Sequence, residues 1–207
     1  MGGLIELVSG QSLGEYMKEN IFEPLGMKNT FFGFREDMRD TMAHQYNYDS
    51  KLGMVVEIPK EQNFCVLGSE YESGGGGLIS CVDDYVLLAD ALTHLGVGKN
   101  GNRILSESAV NLMRKNQLNE SQLQKFWESV QFRGYGYGFG VRTNIRPEDS
   151  GNLTSLGEFG WDGARLCYLL SDPEKKVSIF HAEHMGAFHS IVEPKIRNLV
   201  YSALDYD

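Results

Sequence analysis

Hydrophobic positions along this chain show helical spacing in stretches up to about residue 130, alternate from Gly134 to His181, and return to helical spacing at the C-terminal end. Leu4, Ile5, Leu7 and Val8 have helical spacing with no Ser, Thr, Asp or Asn ahead of them as a cap, so the chain is expected to open inside a helix. Ser9-Gly10-Gln11 ends that helix. Ser12 followed by Glu15 predicts a capping box for a second helix, Leu13 to Phe22, closed by Pro24 and Gly26. Lys28 to Ser73 carries aromatic pieces and turn residues without a sustained period, which predicts loops with short strands such as Tyr46 to Tyr48 and Met54 to Ile58. Ser80 and Asp83 predict another capping box. Tyr85, Leu87, Leu88, Ala91, Leu92 and Leu95 then form one apolar face, which Gly96 stops. Ser106 caps a shorter helix through Met113, and Gln117 to Val130 reads as a polar connection with helical character.

Beyond this point the spacing is that of strands. Gly134 to Val141, Phe159 to Trp161, Arg165 to Leu170 and Val177 to His181 are separated by turn-rich segments such as Ser171-Asp172-Pro173-Glu174, which predicts a four-stranded antiparallel meander. Ser190 and Glu193 open a last helix with Pro194 in its first turn. Its face of Ile196, Leu199, Val200 and Ala203 is expected to pack on the sheet. The fold class is therefore α+β, an antiparallel sheet with packed helices. Residues 1–207 are expected to form one unit, with a helical and loop part up to about residue 130 and strands plus a C-terminal helix from about residue 131.

Composition narrows the function classes. With 42% hydrophobic and 23% charged residues the chain has the makings of a packed core. A formal net charge of −9 without a compensating Lys/Arg cluster repels phosphate backbones, so no nucleic-acid partner is expected. No apolar run approaches the roughly 20 residues of a membrane span, and the first residues lack a charged segment leading into an apolar one, so no membrane segment is expected. Cys65, Cys81 and Cys167 are scattered and odd in number, which argues against a disulfide framework or a zinc site; they read as buried thiols or bystanders. Localisation stays open between cytoplasm and bacterial export.

Several segments invite chemical readings. Gly74-Gly75-Gly76-Gly77 lacks the Lys and Ser/Thr of a phosphate loop and is read as a tight structural loop. Gly134 to Gly140 places aromatic residues at every second position, which is strand spacing and not a dinucleotide fingerprint; something must lie close against its bare glycine face. His181, Glu183, His184 and His189 suggest a metal site but do not match H-E-x-x-H, and on a strand His184 points away from the first two; no metal and no cofactor is expected. Asp83 and Asp84 sit in a helix first turn, where the macrodipole favours them structurally. Trp161-Asp162-Gly163-Ala164 differs in kind. A bulky residue, a polar one and a glycine at a strand edge would direct a backbone amide toward a cleft.

Taken in order, Leu4 to Gln11, Ile21-Phe-Glu-Pro-Leu-Gly-Met27, Glu72 to Leu78, Asp83-Asp-Tyr85, Arg103-Ile-Leu-Ser106 and Asp172-Pro-Glu174 resemble the serine β-lactamase and penicillin-binding protein family, on its class C and family VIII carboxylesterase side. That resemblance implies a partial β-lactamase/transpeptidase-like fold and three motifs: Ser-x-x-Lys, a catalytic Tyr, and a strand-edge motif. Only the third has a match, at Trp161, Asp162 and Gly163, where the resemblance implies substrate binding, with the Ala164 N–H as one half of an oxyanion hole. Ser-x-x-Lys occurs nowhere between Met1 and Asp207, and Tyr71-Glu72-Ser73 has the form of the Tyr motif in the wrong place. Asp162 departs from the Thr or Gly of the family pattern, and a carboxylate beside a developing oxyanion opposes it. The chain is accordingly expected to be the C-terminal portion of a serine hydrolase acting through an acyl-enzyme on β-lactam, peptide or ester carbonyls, inactive alone and partnered by the missing N-terminal half of the domain. The rival expectation is a natural non-catalytic module that binds peptide or cell-wall ligands.

Overall fold

The computed structural model describes residues 1–62, 71–187 and 189–204. Helix α1 (Gly2–Ser9) ends at Gly10, whose φ of 73° is the left-handed cap that glycine adopts without strain. Ser12 and Glu15 make the expected capping box on α2 (Leu13–Met17), which runs through a π turn at Lys18–Phe22 into α3 (Glu23–Leu25) and a left-handed Gly26. Strand β1 (Phe31–Phe32) pairs with β4 (Leu78–Ile79), a ribbon too short for periodicity to reveal, and β2 (Gln45–Asp49) with β3 (Met54–Ile58) forms the expected hairpin. Helices α4 (Val82–Thr93), α5 (Glu107–Met113) and α6 (Glu120–Phe126) follow. The capping box expected at Ser80 is absent: the N-cap of α4 is Cys81, without a side-chain cap, because the Ser80 hydroxyl is taken up by Thr30 at 2.7 Å. Asp84 is drawn into the same contact, accepting from Asn29 N at 2.6 Å and Thr30 Oγ1 at 2.9 Å, which is a structural role.

The sheet is an antiparallel meander of five strands, β5 (Tyr135–Tyr137), β6 (Arg142–Asn144), β7 (Phe159–Gly163), β8 (Cys167–Asp172) and β9 (Val177–Ala182), with the short helix α7 (Pro147–Ser150) between β6 and β7. The expected four become five because the run Gly134 to Val141 holds one short strand and a turn, and a further strand, Arg142–Asn144, follows it. Gly138 N donates to Val141 O at 2.8 Å, and Gly140 takes φ 80°, so the chain reverses where one strand was expected. The close approach expected against its glycines is present: a Cβ on Gly136 would lie 2.5 Å from Asn116 Oδ1, and one on Gly138 would lie 2.0 Å from Met113 O. Helix α8 (His189–Ser202) begins one residue before the expected start and has Pro194 inside it, beyond the first turn.

Alternation along β8 divides the core. Leu169 points to one face with Phe159, packing against Leu92 of α4 and Val110 and Met113 of α5. Tyr168 and Leu170 point to the other, against Tyr201 of α8, with Val177 and Ile179. A third cluster, Phe22, Leu25, Met27 and Ala91, fastens the α2–α3 corner to α4. Helices on both faces thus fix β7 in the middle of the sheet.

Candidate functional site

Strand β7 is covered unequally on its two sides. Toward β8 the pairing runs its full length, from Phe159↔Ser171 to Gly163↔Cys167. Toward β6 it stops at Arg142↔Gly160, so Trp161, Asp162 and Gly163 continue past the end of that neighbour. Glu158 O accepts from Asn144 N at 2.7 Å, so Glu158 turns its backbone toward β6; strand alternation gives Gly160 and Asp162 the same direction. Ala164 is the first residue of the turn into β8, closed by Leu166 N donating to Gly163 O at 3.1 Å. Leu166 holds φ 58°, an uncommon conformation for a residue with a Cβ, and its fully buried side chain keeps it there.

Side chains alternate in the same way. Trp161 leaves one face, 39% exposed, and its ring stacks on Phe132 at 5.9 Å and meets the edge of Tyr137 at 5.1 Å. Phe126, at the end of α6, stacks in turn on Phe132 at 4.5 Å, so an aromatic row leads from α6 to the exposed strand end. Asp162 leaves the opposite face, toward α8. There its Oδ1 lies 2.9 Å from Nη1 of Arg142, whose side chain is 1% exposed.

Arg142 belongs to a buried polar cluster that periodicity alone did not single out. Its guanidinium lies between the rings of Tyr135 (5.5 Å) and Tyr168 (5.0 Å), with Glu158 Oε1 3.6 Å away. Arg197 of α8 contacts the same two rings and donates to Tyr168 Oη at 2.8 Å and Tyr135 Oη at 2.7 Å. Tyr135 donates to Glu158 Oε2 at 3.0 Å, which also accepts from Thr154 Oγ1 at 3.1 Å. Two buried cations thus face two carboxylates. Burial is the largest single influence on Arg142 and opposes its charge, but the Asp162 carboxylate together with Tyr168 and Glu158 more than offsets it, so the guanidinium is held more firmly protonated than in water. Burial also pushes the Tyr135 and Tyr168 phenols above their ordinary range. A sequence signal for this cluster existed: Glu158 and Asp162, four apart on a strand, share a face and require a cation opposite.

Other sequence candidates take structural places. Glu72 accepts from Gly14 N at 2.6 Å and so caps α2, and Gly76 N and Gly77 N both donate to Ser73 O, which folds the glycine loop on itself. His181 Nε2 lies 2.9 Å from Glu183 Oε1, while the His184 carbonyl accepts from Tyr46 N at 3.0 Å. Among the described residues no three His, Cys, Asp or Glu side chains converge on a point that would hold a metal ion. The His189 side chain and Cys65 lie outside the described residues, and Cys81 and Cys167 are free thiols. No helix among the described residues is long and apolar enough to cross a membrane.

The same fold occurs in solved proteins. Simvastatin synthase (LovD) from Aspergillus terreus, as its LovD6 mutant, superposes with a TM-score of 0.82 at 21% identity, covering 97% of this chain and 52% of that one. EstCE1, a hydrolase with promiscuous acyltransferase activity, superposes with a TM-score of 0.78 at 23% identity, covering 97% of this chain and 53% of that one. Protein Rv1367c of Mycobacterium tuberculosis is 28% identical over 188 residues, which are 87% of this chain and 45% of that protein. The chain spans about half the length of each of these proteins. The Beta-lactamase family profile matches residues 1–182, so that the helical corner, the meander and the strand end at Trp161 all fall inside one match, and the chain belongs to the beta-lactamase family.

Proposed function

We propose that this chain supplies one wall of a serine acyl-transfer site, with Trp161, Asp162 and Gly163 as the substrate-side strand edge and the Ala164 N–H as an oxyanion donor. The observation that carries this reading is the unequal cover of β7, which runs beyond β6 and presents a backbone edge at the segment that matches the family's third motif. The nucleophile and base come from a Ser-x-x-Lys segment outside these 207 residues. In the reaction the serine oxygen attacks an ester, amide or β-lactam carbonyl as the base takes its proton. The carbonyl oxygen gathers negative charge against the Ala164 N–H, the leaving group departs with the proton, and water releases the acyl group. Trp161 and the rings beside it form an apolar surface for the acyl part of the substrate. The exposed apolar face of α1, with Leu4 at 55%, Leu7 at 81% and Val8 at 78%, supports docking of the other half of the domain there.

Two preparations test this: the 207-residue chain, and the natural protein that contains it together with whatever precedes it. The expected result is no turnover of p-nitrophenyl acetate or nitrocefin by the chain alone. The longer protein is expected to turn over at least one of them, with a fluorophosphonate adduct on a serine outside residues 1–207. Absence of both turnover and adduct in the longer protein overturns the reading in favour of a non-catalytic module, whose signature is saturable binding of muropeptides.

A further inference from the structure

We infer that Arg142 is a positioning residue for the exposed end of β7, acting through Asp162. This rests on the acyl-transfer reading for its catalytic consequence but not for its structural content. Backbone pairing between β6 and β7 stops at Arg142↔Gly160, and two residues later the strand must still hold its direction to present Ala164. The Arg142 side chain spans that gap, reaching Asp162 at 2.9 Å from a site where its own position is set by Tyr135, Tyr168 and Glu158. The ion pair therefore holds the strand end by charge attraction where the hydrogen bonds of the ladder have ended.

It also removes an electrostatic conflict. A carboxylate in the third motif opposes a developing oxyanion if it stands beside it. Strand alternation sends the Asp162 side chain to the face of α8, and Arg142 neutralises it there, while its backbone stays at the edge. Asp162 thus serves as an anchor below the site, and the substrate meets its backbone and not its carboxylate.

Amide hydrogen exchange on the 207-residue chain tests the inference without any catalysis. Asp162→Asn is expected to speed exchange at Trp161 and Gly163, whose backbone faces β8, about tenfold or more relative to Tyr168–Ser171, which reports the opening of the sheet as a whole. Arg142→Met is expected to do the same, and the double variant to exchange no faster there than Arg142→Met alone, since both substitutions break one interaction. Unchanged exchange in Asp162→Asn, or additive acceleration in the double variant, overturns the inference; should Arg142→Met not fold, Asp162→Asn and Arg142→Lys decide it. In the longer natural protein, Asp162→Asn is expected to lower kcat about tenfold with KM within about twofold, as loss of a transition-state donor requires. Wild-type protein without turnover overturns the acyl-transfer reading and leaves the exchange result to stand by itself. Loosened exchange with unchanged kcat overturns the catalytic part of the present inference.

Discussion

Gly160 shows how little freedom a residue in this sheet retains. A Cβ there would lie 1.8 Å from Leu169 O, a backbone atom of the neighbouring strand that has no rotamer to move into. Gly160→Ala is expected to destabilise the chain by about 3 kcal/mol or more, read as a lower urea midpoint, because β7 and β8 must part to admit one methyl group. Sequence reading placed this glycine in the right strand but had no access to the clash, which depends on register. The same limit applied to Asp162. Its identity and its departure from the family pattern are plain in the sequence, whereas its partner Arg142 lies twenty residues earlier and becomes visible only once β6 and β7 are paired.

At the scale of elements, short-range chemistry was legible wherever it was local. The Ser12–Glu15 box and the Ser106 cap are formed as expected, since each needs only residues three apart. The Ser80 box failed because a distant hydroxyl, Thr30, competed for the side chain. Helix α6 carries a reciprocal box of its own, Asn119 with Gln122, and its last residue, Phe126, begins the aromatic row that reaches Trp161. Asn119→Ala is therefore expected to cost about 1 kcal/mol of stability and, in a Trp127→Phe background where Trp161 alone emits, to shift the tryptophan emission, which thermal melts followed by fluorescence will show together. A stability loss without an emission change uncouples α6 from the strand end.

For the whole molecule, the polar cluster between the sheet and α8 links stability to alkaline pH. The phenols of Tyr135, Tyr168 and Tyr201 are raised above the ordinary phenol value of about 10, first of all by burial. Above pH 10 the unfolded chain therefore sheds phenolic protons that the folded chain retains, and the slope of unfolding free energy against pH is negative there. Stability from this source is fully present below pH 10 and is lost as pH rises further. Urea midpoints measured from pH 8 to 11.5 are expected to be level up to about pH 10 and to fall above it. Tyr201→Phe, which removes the 2.7 Å bond to Asp172, is expected to soften that fall.

The sequence by itself determined the α+β class, the helices whose caps and apolar faces are local, and the order of the strands it foresaw. Each of these rests on spacings of a few residues or on ordered short segments, and such information survives without a partner. Only the tertiary structure decided that the chain turns over Gly138 to Val141 and returns as a further strand, Arg142–Asn144, that β7 outruns β6, and that Asp162 faces a buried arginine away from the strand edge. Those features arise from contacts between residues far apart in the chain, where a glycine turn, a strand end or a buried charge is stable only because the opposite element supplies the complementary group.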